Sequence, residues 1–93
     1  MSDATLPQDG TADGASAPPQ PDLDIDTSGL LCPLPILRAK KALATLQSGQ
    51  VLRVVSTDPH SMADFRAFCR QTGNPLLRQD DQNPQFIHFL ARR

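Results

Sequence analysis

The stretch DTSGLLCPLPILRAKKAL, residues 26–43, places a thiol, Cys32, between a leucine pair and the prolines Pro33 and Pro35, ahead of an amphipathic basic segment. The residue before a proline is pushed away from helical geometry, so Leu34 is expected as the N-cap and Pro35 as the first helical position. Cys32 then lies about two residues outside a helix, close to its unpaired N–H groups and positive dipole end. Pro33 fixes a backbone angle and offers no donor, so covalent geometry rather than burial directs the sulfur. This placement predicts a partly exposed thiol titrating modestly below its ordinary value.

The surroundings limit what such a thiol can do. No histidine or acid stands beside it in sequence to act as the base of an acyl-transfer nucleophile. There is no Cys-x-x-Cys, so a self-contained dithiol redox cycle is disfavoured. One sulfur without a resolving partner suits acceptance of a sulfur atom as a persulfide, which ionises more readily than a thiol. The competing reading is a small apolar residue tucked under a turn. The second thiol, Cys69, repeats with Met62, Phe65 and Thr72 on one helical stripe, which predicts a buried structural cysteine. His60 and His88 make no metal-ligand spacing with Cys32, so no metal site and no cofactor are expected.

Several elements must hold this thiol in place. Asp22-Leu23-Asp24-Ile25-Asp26 alternates polar and apolar residues, as a strand with one buried face does. Ile36, Ala39, Leu43 and Leu46 define a helix stripe that Ser48-Gly49 is expected to end. Residues 51–56 are β-branched and read as a strand parallel to the first through a right-handed crossover. Asp58-Pro59 offers an N-cap followed by proline at the first helical position, and Gly73 closes that second helix. Residues 76–79 and 85–90 read as an antiparallel hairpin about the polar turn 80–84. The order β-α-β-α-β-β predicts an α/β (α+β) two-layer sandwich, a four-stranded mixed sheet with two helices on one face and one side of the hairpin buried.

Residues 1–21 contain four of the nine prolines, two of the five glycines and only Met1 and Leu6 as large apolar residues. They are expected to form a disordered extension, leaving 22–93 as the domain. They show no secretory-signal pattern, and no apolar run approaches the roughly 20 residues of a membrane span, so a cytoplasmic protein without membrane contact is expected. The net charge of −1 conceals an asymmetry: residues 1–26 hold six aspartates and no cation, while residues 27–93 hold nine Lys/Arg against four aspartates, or +5. A basic domain suits an ordinary solvated surface, an acidic partner or a nucleic acid.

Asp26, Gly29 and Cys32-Pro33-Leu34-Pro35 resemble the Asp-x-x-Gly-x-x-Cys-Pro-x-Pro motif of the TusA-like (SirA/YedF-type) sulfur-carrier family. The similarity continues through the first helix, Gly49, Thr57-Asp58-Pro59 and Phe68-Cys69, over about residues 22–92. The resemblance implies a sulfurtransferase whose Cys32 takes sulfane sulfur from a cysteine desulfurase or another sulfurtransferase and hands it to an acceptor protein. The pathways served by relatives include tRNA thiolation, molybdenum-cofactor biosynthesis and sulfur oxidation. Gly29, Pro33 and Pro35 would present the thiol. Leu34, where relatives often carry an acid, would contact partners together with Arg38, Lys40 and Lys41.

A non-enzymatic regulatory or RNA-binding module is the alternative, because the basic two-layer layout also resembles the C-terminal domain of translation initiation factor three. Against direct nucleic-acid binding, the four phenylalanines (65, 68, 86 and 89) fall at core positions rather than interleaving with cations on an exposed strand.

Overall fold

The computed structural model describes residues 18–93. Six elements follow in order: β1 (Leu23–Thr27), α1 (Leu34–Leu43), β2 (Val51–Ser56), α2 (Ser61–Thr72), β3 (Leu76–Gln82) and β4 (Gln85–Ala91). The sheet order is β1-β2-β4-β3, with β1 and β2 parallel and the other pairs antiparallel. The expected mixed sheet is therefore present. Alternation in β1 turns Leu23 and Ile25 toward the helices and leaves Asp24 and Asp26 exposed. Ala39, Ala42, Leu43 and Leu46 from α1 and the segment after it meet Phe65, Phe68 and Cys69 of α2 over Leu52, Val54 and Leu90 of the sheet. This layer is the core.

Several features differ from those expected. α1 ends at Leu43, five residues before Ser48. The chain then tightens into i→i+3 bonds, Thr45 N–H to Ala42 O at 3.0 Å and Leu46 N–H to Leu43 O at 3.0 Å. Arg92 from the end of the chain donates to the carbonyls of Leu43 and Leu46, satisfying acceptors that a longer helix would have used internally. Gly49 instead serves the entry to β2, its N–H bonded to Arg92 O at 2.7 Å.

The hairpin turn is shorter than five residues. Asp80, Asp81 and Gln82 belong to β3, paired with Ile87, Phe86 and Gln85. β3 is an edge strand, where polar side chains meet solvent at little cost, and Arg78 pairs with Asp80 at 2.9 Å along it.

Burial of the hairpin is not confined to one side, since every residue of β4 from Phe86 to Ala91 is buried. His88 and Leu90 face the helices, whereas Phe89 lies on the opposite face beside Arg53 and Asp24. There Pro18 to Pro21 help to line a cavity of about 300 Å³ with those three residues. The rest of the extension expected to be disordered, residues 1–17, lies outside the described residues.

Candidate functional site

Parallel strands joined by helices bring their following loops to one end of the sheet. The loop after β1, residues 28–33, and the loop after β2, residues 57–60, are therefore neighbours at the carboxyl ends of the two strands. Two hydrogen bonds tie them together. Gly29 N–H donates to Thr57 Oγ1 at 2.8 Å, and Cys32 N–H donates to Asp58 Oδ2 at 2.8 Å.

The first loop is shaped locally as well as by that tie. Asp26 Oδ1 accepts from Ser28 N–H at 2.9 Å and from Ser28 Oγ at 2.6 Å, which turns the chain out of β1 and lowers the Asp26 pKa. Gly29 follows at φ +80°, a left-handed conformation that a side chain would resist. Leu34 N–H then closes a turn onto Leu31 O at 2.8 Å, and Pro33 O accepts the N–H of Leu37 at 3.1 Å.

The N-cap is accordingly Pro33, with Leu34 first and Pro35 second in the helix, one position earlier than the proline rule predicts. The turn occupies the N–H of Leu34, and Leu37 claims the Pro33 carbonyl, so the local bonding overrides the pre-proline bias. Cys32 stands immediately before the cap and is exposed, as its position at a loop tip dictates.

Asp58 does not cap α2, because its carboxylate is already engaged. It is 2% exposed and accepts from Cys32 N–H through Oδ2 and from His60 N–H through Oδ1 at 2.9 Å, with His60 Nδ1 3.2 Å away. Its own carbonyl takes Ser61 N–H at 2.9 Å, and His60 becomes the cap residue, without a side-chain cap bond. The backbone bond from His60 is the main cause holding the carboxyl below its ordinary value, with further help from Cys32 N–H and the His60 side chain.

The environment of the thiol reverses the expectation of a lowered pKa. Cys32 titrates above its ordinary value, first because the Asp64 carboxylate favours the protonated sulfur. Partial loss of solvent and the negative charges of Asp64 and Asp58 push in the same direction. The helix terminus, whose influence is a fraction of a charge, acts in the opposite sense. Cys69 is buried on α2, and burial raises its thiol to about 11, in keeping with the packing role read from its stripe.

Of the residues expected to contact partners, Leu34 is 45% exposed at the start of α1, and Arg38 is exposed one turn on. Lys40 and Lys41 lie in the last turn of α1, about 9 Å or more along the axis from Leu34, so they are not gathered around the thiol. Lys40 instead lines a cleft of about 210 Å³ with Arg92 and Arg93.

Two exposed leucines not singled out from the sequence lie near Cys32 in the chain: Leu31, its neighbour, 66% exposed, and Leu37 on α1, 53% exposed. Their signal was available, because Leu34, Leu37, Arg38 and Lys41 recur at helical spacing off the Ile36-Ala39-Leu43 stripe. Among the described residues no group of three or more His, Cys or acidic side chains is placed to hold a metal ion, and no helix is long and apolar enough to cross a membrane.

An exposed cysteine at the junction of two βα loops, on a four-stranded sheet covered by two helices, defines a small thiol-presenting α/β protein. A family model described as Sulfurtransferase TusA matches residues 23–93, so the chain belongs to that family. It is similar to the sulfur carrier protein TusA of Allochromatium vinosum, 54% identical over 72 residues, covering 77% of this chain and 93% of that one. The sulfur carrier protein TusA of Pseudomonas putida is 32% identical over 73 residues, covering 78% and 91%. Among solved structures, a SirA-like protein from Desulfitobacterium hafniense superposes with a TM-score of 0.65 at 28% identity, covering 74% of this chain and 95% of the other.

Proposed function

We propose that the protein is a sulfur carrier in which Cys32 takes up sulfane sulfur as a persulfide and relays it to an acceptor protein. The observation that carries this reading is the exposure of one thiol, held by its own backbone bond to Asp58, while the second thiol is buried in the core.

In the uptake step the Cys32 sulfur attacks the outer sulfur of a donor persulfide. A new S–S bond forms, the donor's S–S bond breaks, and the electron pair leaves on the donor's cysteine. Cys32–SH and R–S–SH become Cys32–S–SH and R–SH without net oxidation. Release reverses the roles, with an acceptor thiolate attacking the outer sulfur and Cys32 departing as the thiolate.

The exposed leucines 31, 34 and 37, which flank Cys32 in the chain, and the exposed Arg38 after them offer donor and acceptor an apolar contact with positive charge beside it. A cysteine desulfurase or another sulfurtransferase supplies the donor persulfide. All four phenylalanines are buried, which leaves no aromatic platform for stacking on bases and favours a protein partner over an RNA.

Intact-mass spectrometry after incubation with a desulfurase and cysteine tests the reading. Gain of one sulfur atom that disappears in Cys32→Ser and persists in Cys69→Ala supports it, whereas loading untouched by Cys32→Ser overturns it.

A further inference from the structure

Cys32 precedes α1, and the far end of that helix opens onto the cleft of about 210 Å³ that Lys40 shares with Arg92 and Arg93. Leu43 and Phe68 give it an apolar lining, and among the described residues that line it there is no acid. The ion pairs of the described residues, Arg53–Asp24, Arg78–Asp80 and His60–Asp58, all lie elsewhere. Three positive charges therefore share one cleft without a negative partner.

Two of them are held there by the fold. Arg92 donates its N–H to Gln50 O at 2.8 Å and accepts Gly49 N–H at 2.7 Å, so its backbone is fixed at the entry to β2. Its side-chain bonds, to the carbonyls of Leu43 and Leu46, are both made through Nη1. The Nε and Nη2 edge of the fork has no partner among the described residues, and that edge suits a two-oxygen anion. Arg93 donates its N–H to Asn74 Oδ1 at 3.0 Å, and its side chain lies over Gly73, with Cδ 3.5 Å from where a Cβ would stand.

Asn74 is a second, independent observation. It lines the cleft at 8% exposure, and its Nδ2 donates to Thr72 Oγ1 at 2.9 Å. An amide nitrogen carries two hydrogens, and the other has no acceptor among the described residues. A buried donor left open beside three cations calls for an acceptor that is also an anion.

Basic residues in a last helical turn ordinarily serve the dipole, and Lys41 does so from outside the cleft. The carbonyl end of α1 opposes an anion with about half a charge. Arg92, bonded to two of those carbonyls, offsets that charge, which leaves Lys40 and Arg93 in excess.

We infer that this cleft binds a phosphate monoester, its phosphoryl group on Arg92, Arg93 and Lys40 and its organic part against Leu43 and Phe68. A monoester carries about −1.5 to −2 charges near neutral pH, which matches the excess better than a single carboxylate does. The cleft exceeds the size of a phosphoryl group alone, and its apolar lining accommodates the ester. Because it lies at the opposite end of α1 from Cys32, occupancy leaves the thiol open.

Titration of the ¹⁵N-labelled full chain with phenyl phosphate at pH 7 and low salt, followed by the Gly73 amide and the Asn74 side-chain amide, tests the site. Saturable shifts with a Kd of about 1 mM are expected. Benzoate, which keeps the ring with one charge, and inorganic phosphate, which lacks the ring, should each bind at least about threefold more weakly. Lys40→Gln with Arg93→Gln should weaken phenyl phosphate by roughly tenfold, and Arg93→Lys should retain part of what Arg93→Gln loses. Lys41→Gln should leave the Kd in place.

Shifts that do not saturate by about 20 mM overturn the inference, as does benzoate binding as tightly as phenyl phosphate. Binding untouched by the double variant, with its fold confirmed by far-UV circular dichroism, or weakened equally by Lys41→Gln, also overturns it. The Cys32→Ser protein should bind as the parent does, so the result is independent of sulfur loading.

Discussion

The backbone N–H of Cys32 is hydrogen-bonded to the buried carboxylate of Asp58, 26 residues away, across 2.8 Å. The thiol is thus positioned by the second βα loop as much as by the helix that follows it. Asp58→Ala leaves the N–H groups of Cys32 and His60 without their acceptor, and bonds to a charged group contribute about 1.5–3 kcal/mol net. A loss of about 2 kcal/mol is expected, read as a drop in Tm of roughly 10 °C for a domain of this size. Asp58→Asn retains one acceptor oxygen and should lose about half as much. Urea titration of the three proteins measures the order, and equal stability of Asp58→Ala and the parent would exclude the anchoring role.

Gly29 tests the same loop from its other tie. Its φ of +80° strains any side chain, yet a Cβ built there meets nothing within 4 Å. Gly29→Ala should therefore cost about 1–2 kcal/mol from backbone conformation alone. Gly29→Asn should cost less, because asparagine tolerates this region. A larger loss for Asn than for Ala in chemical denaturation would point to a steric rather than a conformational origin.

What could be read in the sequence was local. Alternation in residues 22–26, the Ile36-Ala39-Leu43 stripe and the Met62-Phe65-Cys69 stripe each report a periodicity set by burial, and each element formed. The boundaries that moved depend on distant partners. Arg92 takes the carbonyls at the end of α1, and the position of β3 at the sheet edge lets Asp80 and Asp81 stay in a strand. The carboxylates were the harder case. Asp58 read as a helix cap because Pro59 follows it, and Asp64 carried no signal as a surface acid on a helix. Only the parallel pairing of β1 with β2 brings Asp58 beside Cys32, and reasoning from that topology to adjacent loops would have found it.

Acid sensitivity should originate at His88 before it reaches Asp58. His88 is fully buried, stacked on Phe65 at 4.4 Å, with Nε2 3.0 Å from Ser61 Oγ and Nδ1 3.1 Å from Gln79 Nε2. Burial, with a smaller contribution from Arg66, lowers its pKa to about 4 from 6.5. The unfolded chain therefore binds a proton that the folded chain refuses, and stability present above pH 6.5 falls as the pH drops toward 4. The loss is on the order of 3 kcal/mol across that window. Asp58, whose folded pKa is depressed, adds its own loss only below about 3.8. Urea unfolding at pH 7.5 and pH 5 measures the first effect. His88→Gln should be less stable throughout but nearly flat between those two values, and an unchanged slope in that variant would assign the sensitivity elsewhere.

The exposed leucines separate docking from chemistry. Leu34 and Leu37 are 45% and 53% exposed, lie three residues apart on α1, and contribute little to the core. Leu37→Ser, or the double change with Leu34→Ser, should alter folding stability by no more than about 0.5 kcal/mol. If these side chains meet the donor protein, removing them costs roughly 1–2 kcal/mol of association, or about tenfold in the rate of sulfur loading from a desulfurase under subsaturating conditions. Loading from a small sulfane-sulfur donor, which needs no protein contact, should keep its parent rate. The ratio of the two rates is the measurement: a parallel fall in both would place the leucines in thiol positioning, and no fall in either would move the docking surface away from α1.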